Sequence, residues 1–79
     1  MYRERFTERN VELALLLLIK HGIDGFDAVS VLKGMLYSEK EYDIEIEKNG
    51  RKFYFQNWLG FISCFVTIGG ETFVYQIIK

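Results

Sequence analysis

Two residues of this chain have the side-chain chemistry of a nucleophile and its base, Cys64 and His21, and each residue type occurs once. A cysteine becomes a nucleophile when a neighbouring base or a helix N-terminus lowers the pKa of its thiol. The pattern of the chain places Cys64 on the buried face of a strand, where a thiol is inert. It places His21 in the last turn of a helix, where it complements the helix dipole. We therefore predict no catalytic residue and no enzymatic activity.

Metal and cofactor sites are also not expected. Cys64 and His21 alone cannot supply the four ligands of a structural zinc site. Gly22 and Gly25 flank a turn between helices, without the spacing of a phosphate-binding glycine loop. We predict no metal and no cofactor.

Acidic side chains recur at alternate positions of one predicted strand, at Asp43, Glu45 and Glu47. Paired carboxylates can serve as general acid and base. Here they alternate with Ile44 and Ile46, so we expect them on the solvated face of an edge strand. Their predicted role is electrostatic steering of a basic partner.

Basic side chains support one alternative function. Two helices joined by a short glycine-containing turn and followed by a hairpin resemble a winged helix-turn-helix. Phosphate contacts require several lysines or arginines, whereas the net charge of this chain is -1. We expect solvated surface charge and no nucleic-acid partner. In the alternative, a DNA-binding regulator would use Lys33, Lys48, Arg51 and Lys52.

Length and composition restrict the class of protein. A chain of 79 residues with 49% hydrophobic residues predicts one small globular domain over residues 1–79. So short a chain buries a modest core, which aromatic side chains or a partner subunit must supplement. The longest apolar run, residues 13–19, is too short to cross a bilayer. Without a targeting signal, we expect a cytoplasmic protein that does not bind membranes.

The first half of the chain has helical periodicity. One helix is predicted over about residues 7–22, with Thr7 as N-cap and Gly22 at its end, and a second over about residues 25–37, with Asp24 as N-cap. The first helix is apolar around most of its circumference, so we expect it to be covered on more than one side. Gly34, inside the second helix, suggests a close approach of the first helix. The predicted inner face of the second helix consists of Phe26, Val29, Leu32 and Leu36, with Val31 and Met35 at its flanks.

The second half of the chain has the alternation of polar and apolar residues that is typical of β-strands. Asn49-Gly50 and Gly69-Gly70 are signals for tight two-residue hairpin turns, and strands are predicted over about residues 42–48, 51–57, 61–68 and 71–78. The middle connection is predicted as a four-residue loop, residues 57–60, which would set Phe55 opposite Ile62. The fold class is therefore α+β, with two N-terminal helices packed on one face of a four-stranded antiparallel meander, in the order α-α-β-β-β-β.

The sheet face away from the helices turns apolar across its third and fourth strands. An exposed apolar surface of this kind favours association with another protein, such as a second copy. We therefore predict a small protein–protein interaction module (an adaptor, an inhibitor or an antitoxin-like accessory factor), self-associating as a dimer. The predicted contact residues, here called the outer sheet patch, are Tyr54, Trp58, Phe61, Phe65, Val74 and Ile78.

Three alternatives stay open. The N-terminal segment or the first helix could cover the outer sheet patch, and Trp58 could cap the core instead of contacting a partner. A third function, small-ligand binding in an apolar pocket, lacks a converging polar constellation in the sequence.

Overall fold

The computed structural model describes residues 2–6, as backbone, and residues 11–79, and it confirms the α+β class. Two helices precede an antiparallel meander of four strands, as predicted. One further strand lies at the N-terminus. The elements are β1 (Tyr2–Phe6), α1 (Val11–Lys20), α2 (Gly25–Leu36), β2 (Tyr42–Lys48), β3 (Arg51–Asn57), β4 (Phe61–Ile68) and β5 (Glu71–Ile78).

The additional strand β1 pairs in parallel with β5, so the strand order in the sheet is β1-β5-β4-β3-β2. The prediction of four strands missed β1. Its sequence, YRERF, has charged residues at its three central positions, and its partner is more than sixty residues away in the chain. Residues 2–6 therefore extend the edge of the sheet, and β5 becomes an interior strand.

The two predicted hairpins form in the predicted register. Ile46 pairs with Phe53 across the first turn, and Val66 pairs with Phe73 across the second. Asn49 and Gly50 have φ angles of 52° and 75°, as a type I′ turn requires. Tight turns with a strong local preference therefore fixed both registers.

The prediction for the middle connection was wrong by two residues. Phe55 pairs with Cys64, and Asn57 pairs with Ile62, so residues 58–60 alone connect β3 to β4. The Trp58 backbone N–H donates to the Phe61 carbonyl at 2.9 Å and closes this turn. A shift of two residues keeps every side chain on its predicted face, which is why the hydrophobic pattern did not reveal it.

The second helix begins at Gly25 as predicted, whereas the first ends at Lys20, two residues before its predicted end at about residue 22. Asp24 caps α2 as predicted, because its Oδ1 accepts hydrogen bonds from the backbone N–H groups of Phe26 (2.9 Å) and Asp27 (3.3 Å). Gly22, with φ 105°, follows the end of α1. The predicted N-cap Thr7 lies outside the described residues.

The predicted inner face of α2 was wrong, because the helix is rotated about its axis relative to the prediction. The buried residues of α2 are Ala28, Val31, Leu32 and Met35, whereas Phe26 is 81% exposed and Val29 is 45% exposed. Both stripes have helical spacing, so periodicity alone cannot choose between them. Packing against the core side of the sheet selects the stripe of Ala28, Val31, Leu32 and Met35.

The expectation that α1 is covered on several sides was also wrong among the described residues. Only Ala14 and Leu18 of α1 are buried. Leu16, on the opposite side of the helix, is 62% exposed. The outer surface of α1 is therefore apolar and uncovered by residues 11–79.

The core lies between the helices and the inner face of the sheet. The helices contribute Ala14, Leu18 and the buried stripe of α2. No helix in the described part of the chain is long and apolar enough to cross a membrane. The sheet contributes Phe53, Phe55, Ile62, Cys64, Val66, Tyr75 and Ile77.

Gly34 does not mark a close approach of α1, contrary to the prediction. A Cβ added there would meet only the Tyr42 hydroxyl, at 3.7 Å, which is ordinary van der Waals contact. We therefore expect Gly34→Ala to raise the free energy of unfolding by up to about 1 kcal/mol, because alanine is the better helix former. Urea denaturation followed by circular dichroism measures this change.

Gly22→Ala is the matched control. Gly22 has a positive φ, and an added Cβ would collide with the Arg51 guanidinium, so this variant is expected to be less stable than the wild type. Destabilisation by Gly34→Ala would contradict the open surroundings of Gly34.

Candidate interaction surfaces

Of the two candidate catalytic groups, Cys64 lies in the core and His21 lies beside aromatic rings of β5. Cys64 is buried, and burial raises the pKa of its thiol to about 12. The His21 Nε2 lies 2.8 Å from the Tyr75 hydroxyl, and the His21 ring packs on Phe73 with centroids 4.9 Å apart. A thiol held neutral by burial lacks the thiolate character of a nucleophile.

We expect His21 to make the stability of the fold depend on pH. Partial burial, and then the nearby charges of Lys20 and Arg51, lower its pKa from the ordinary value of 6.5. Below pH 6.5 the unfolded chain therefore binds more protons at this site than the native chain does, and stability falls as the pH is lowered. We expect the urea midpoint to be lower at about pH 5.5 than at about pH 7.5.

His21→Gln is the control for this prediction. Glutamine cannot titrate, so the difference between the two midpoints is expected to shrink in this variant. Equal pH dependence in both proteins would show that other groups cause it.

The structure places some residues of the outer sheet patch in contact with one another. The Tyr54 and Phe65 rings pack across β3 and β4 with centroids 5.9 Å apart, and Phe65 pairs with Val74 on β5. Val74 is only 2% exposed, on a strand that lies between β4 and β1. Val74 therefore supports the patch from within the sheet.

The remaining members of the outer sheet patch lie near the loop of residues 58–60. Trp58 stacks on Phe61 at a centroid distance of 6.1 Å, and Phe61 pairs with Ile78. Trp58 is 38% exposed, while Phe61 and Ile78 are half-buried. Contacts with neighbouring strands and rings thus bury part of the apolar surface of Trp58, Phe61 and Ile78.

The predicted acidic strand is exposed, and two of its carboxylates have partners. Asp43 accepts a hydrogen bond from the Tyr54 hydroxyl, which raises the pKa of Tyr54. Glu45 lies 3.7 Å from the ammonium group of Lys52. An exposed ion pair of this kind contributes little stability.

The four basic residues of the nucleic-acid alternative are not assembled into one stripe. Lys52 is paired with Glu45, and the Arg51 guanidinium lies over Gly22 at the turn between the helices. Lys33 lies in the last turn of α2, at the other end of that helix. Lys48 is next to the hairpin turn.

The helices present an apolar surface that was not predicted from the sequence. Five large apolar side chains, each more than 40% exposed, lie on the outer side of α1 and α2. The turn between the helices connects them, because the Ile19 side chain lies beside Gly25. The all-round apolar character of residues 13–19 was the available signal, and it was interpreted as burial. This helical patch consists of Leu13, Leu16, Ile19, Phe26 and Val29.

A groove between α1 and α2 borders the helical patch. It has a volume of about 200 Å³, and Lys33 is the one charged residue that lines it within residues 11–79. A second pocket, of about 190 Å³, opens beside Trp58 at the end of β2 and β3. Within residues 11–79, no three His, Cys, Asp or Glu side chains are grouped as metal ligands would be.

Comparison with known proteins identifies no relative: no family model, no curated protein and no solved structure matches this chain.

Proposed function

We propose that this chain is a non-enzymatic protein interaction module that pairs with a second copy of itself through the helical patch. The observation that carries the proposal is the exposure of large apolar side chains on the outer side of both helices, led by Phe26 at 81% and Leu16 at 62%. Soluble monomers rarely expose contiguous apolar surface on this scale.

A second copy is the occupant that fits best. Interfaces between identical subunits are more apolar than other protein interfaces. The net charge of -1 gives two copies almost no mutual repulsion. A 79-residue chain has a small core, and oligomerisation is a common supplement to such a core.

The outer sheet patch is the second candidate surface for the same function. Phe65 and its neighbours are half-buried and Val74 is buried, so this patch offers less free apolar area than the helical patch. Adaptor, inhibitor and antitoxin-like roles, in the cytoplasm, are compatible with either surface. None of the contacts in residues 11–79 favours the DNA-binding or small-ligand alternative.

The test is the solution mass, measured by light scattering after size exclusion from about 1 μM to about 1 mM protein. The wild type is expected to reach twice the 9.3 kDa of one chain. Leu16→Glu is expected to give the single-chain mass, because it places a charge in the apolar interface while keeping a good helix former.

Leu59→Glu is the matched control, because Leu59 is 71% exposed and lies outside both patches. It should leave the dimer intact, as should Phe65→Glu. Loss of the dimer in Phe65→Glu but not in Leu16→Glu would transfer the interface to the outer sheet patch. A wild type that stays at the single-chain mass would overturn self-association. Circular dichroism checks that each variant is folded.

A further inference from the structure

The groove between α1 and α2 has room for an aromatic ring. Its volume is about 200 Å³, and a cavity of about 150 Å³ lined by aliphatic side chains is known to accept a benzene molecule. A phenylalanine side chain therefore fits the groove in size and in polarity. Besides Lys33, the described lining residues are Val11, Leu15, Val29, Leu32, Leu36 and Tyr37.

The same helices expose a phenylalanine ring at the other end of their outer surface. Phe26 lies in the first turn of α2 and is 81% exposed, so its ring does not fill the groove of its own chain. The groove joins the start of α1 to the C-terminal half of α2. Its centre, near Lys33, is about two helical turns from Phe26. The ring and the groove are thus two separate features of one surface.

A two-fold rotation midway between the ring and the groove brings the two features together twice. In a two-fold dimer, the same surface of both copies takes part, so every contact occurs in a reciprocal pair. With the axis near Ser30, which is exposed, Phe26 of each copy lies over the groove of the other. The two α2 helices then cross in opposite directions. Both rings become buried and both grooves become filled.

The charges of α2 favour this direction of crossing. Asp24 caps the helix and Asp27 lies in its first turn, whereas Lys33 lies in its last turn. No carboxylate lines the groove around Lys33 among the described residues. An antiparallel crossing brings the acidic first turn of one copy toward the basic last turn of the other and opposes the two helix dipoles. A parallel crossing would place like charges against each other, which is unfavourable.

We propose that Phe26 of each chain inserts into the groove between α1 and α2 of a second copy. The inference rests on the proposed function, which makes a second copy the partner, and it adds the direction of pairing and the contact that anchors it. A buried aromatic side chain in a pocket is a common anchor of protein interfaces. The groove at the border of the helical patch thereby becomes part of the interface.

Phe26→Ala tests the anchor. The dissociation constant of the dimer, measured by sedimentation equilibrium, is expected to rise at least about tenfold, because each dimer loses two inserted rings. Leu59→Ala is the matched control, since Leu59 is exposed and lies outside both patches. It is expected to change the dissociation constant by less than about twofold. Circular dichroism checks that both variants are folded.

Single added cysteines test the direction of pairing. Ser30→Cys places a thiol beside the two-fold axis, and Glu12→Cys places one in the first turn of α1, at the end of the interface. A short thiol-to-thiol crosslinker is expected to join two copies of the Ser30→Cys protein. It is expected to leave Glu12→Cys uncrosslinked, because the rotation sends its two thiols to opposite ends. The wild type gives the background from Cys64, which is buried.

The two proposals fail by different results. A wild type that stays at the single-chain mass would overturn self-association, and this arrangement with it. A wild-type dimer would keep the proposed function, while an unchanged dissociation constant in Phe26→Ala would overturn the inserted ring. Absence of crosslinking in Ser30→Cys, or equal crosslinking in Glu12→Cys, would overturn the antiparallel arrangement alone.

Discussion

Replacing Phe55 with alanine is expected to unfold most of the protein at room temperature. Phe55 is fully buried, between Ile44 on β2 and Cys64 on β4. Removing a buried phenylalanine ring costs about 3–5 kcal/mol, from lost burial and from the cavity that remains. The core of so small a domain rarely supplies more than about 3–5 kcal/mol of net stability, so the loss is comparable with the whole.

Phe26→Ala is the matched control for this prediction. Phe26 is 81% exposed, and truncation of an exposed side chain changes stability by no more than about 0.5 kcal/mol. Urea denaturation followed by circular dichroism compares the two variants, at a protein concentration where the chain is monomeric. Equal losses of unfolding free energy in Phe26→Ala and Phe55→Ala would show that Phe26 is in the core, as the periodicity of α2 first predicted.

Local turn chemistry explains which parts of the fold the sequence predicted well. The Asn49-Gly50 and Gly69-Gly70 turns determine their hairpins within a few residues, so the bounds of β2 to β5 followed from the sequence. The connection after β3 has no such turn signal. Its register depends on how Trp58 and Asn57 pack. The alternation of polar and apolar residues does not reveal this packing.

The features that the sequence missed depend on distant contacts. The pairing of β1 with β5 joins residues more than sixty positions apart, and it turns β5, the last strand of the predicted meander, into an interior strand. Val74, on the outer face as predicted, is buried. The rotation of α2 likewise follows from its contact with the sheet, and this contact leaves Phe26 outside.

The candidate sites likewise include one feature that the sequence predicted and one that it did not. The acidic alternation of β2 could be read from the sequence, and it correctly placed Asp43 on an exposed strand. The pocket beside Trp58 could not be predicted, because it requires the chain between α2 and β2 to return beside Asn57. Nothing in the sequence near Asn57 distinguishes a buried amide that binds two carbonyls from an ordinary residue at a strand end.

Asn57→Asp is expected to destabilise the protein by more than Asn57→Ala does at neutral pH. The Asn57 amide nitrogen donates to Ser38 and Lys40 carbonyl oxygens and thereby holds residues 38–40 against the end of β3. Alanine removes both bonds, at a cost on the order of 1–3 kcal/mol. Aspartate, of nearly the same size, places a carboxylate against those two acceptors and buries its charge.

Urea denaturation of both variants at about pH 7 and about pH 4 measures this effect. A buried carboxyl among acceptors has a raised pKa in the native state, so the native Asn57→Asp protein binds more protons than the unfolded chain. Its stability relative to Asn57→Ala is therefore expected to improve as the pH falls, because a protonated carboxyl can donate one of the two lost bonds. If Asn57→Asp were as stable as the wild type at neutral pH, the amide nitrogen would not be what holds residues 38–40.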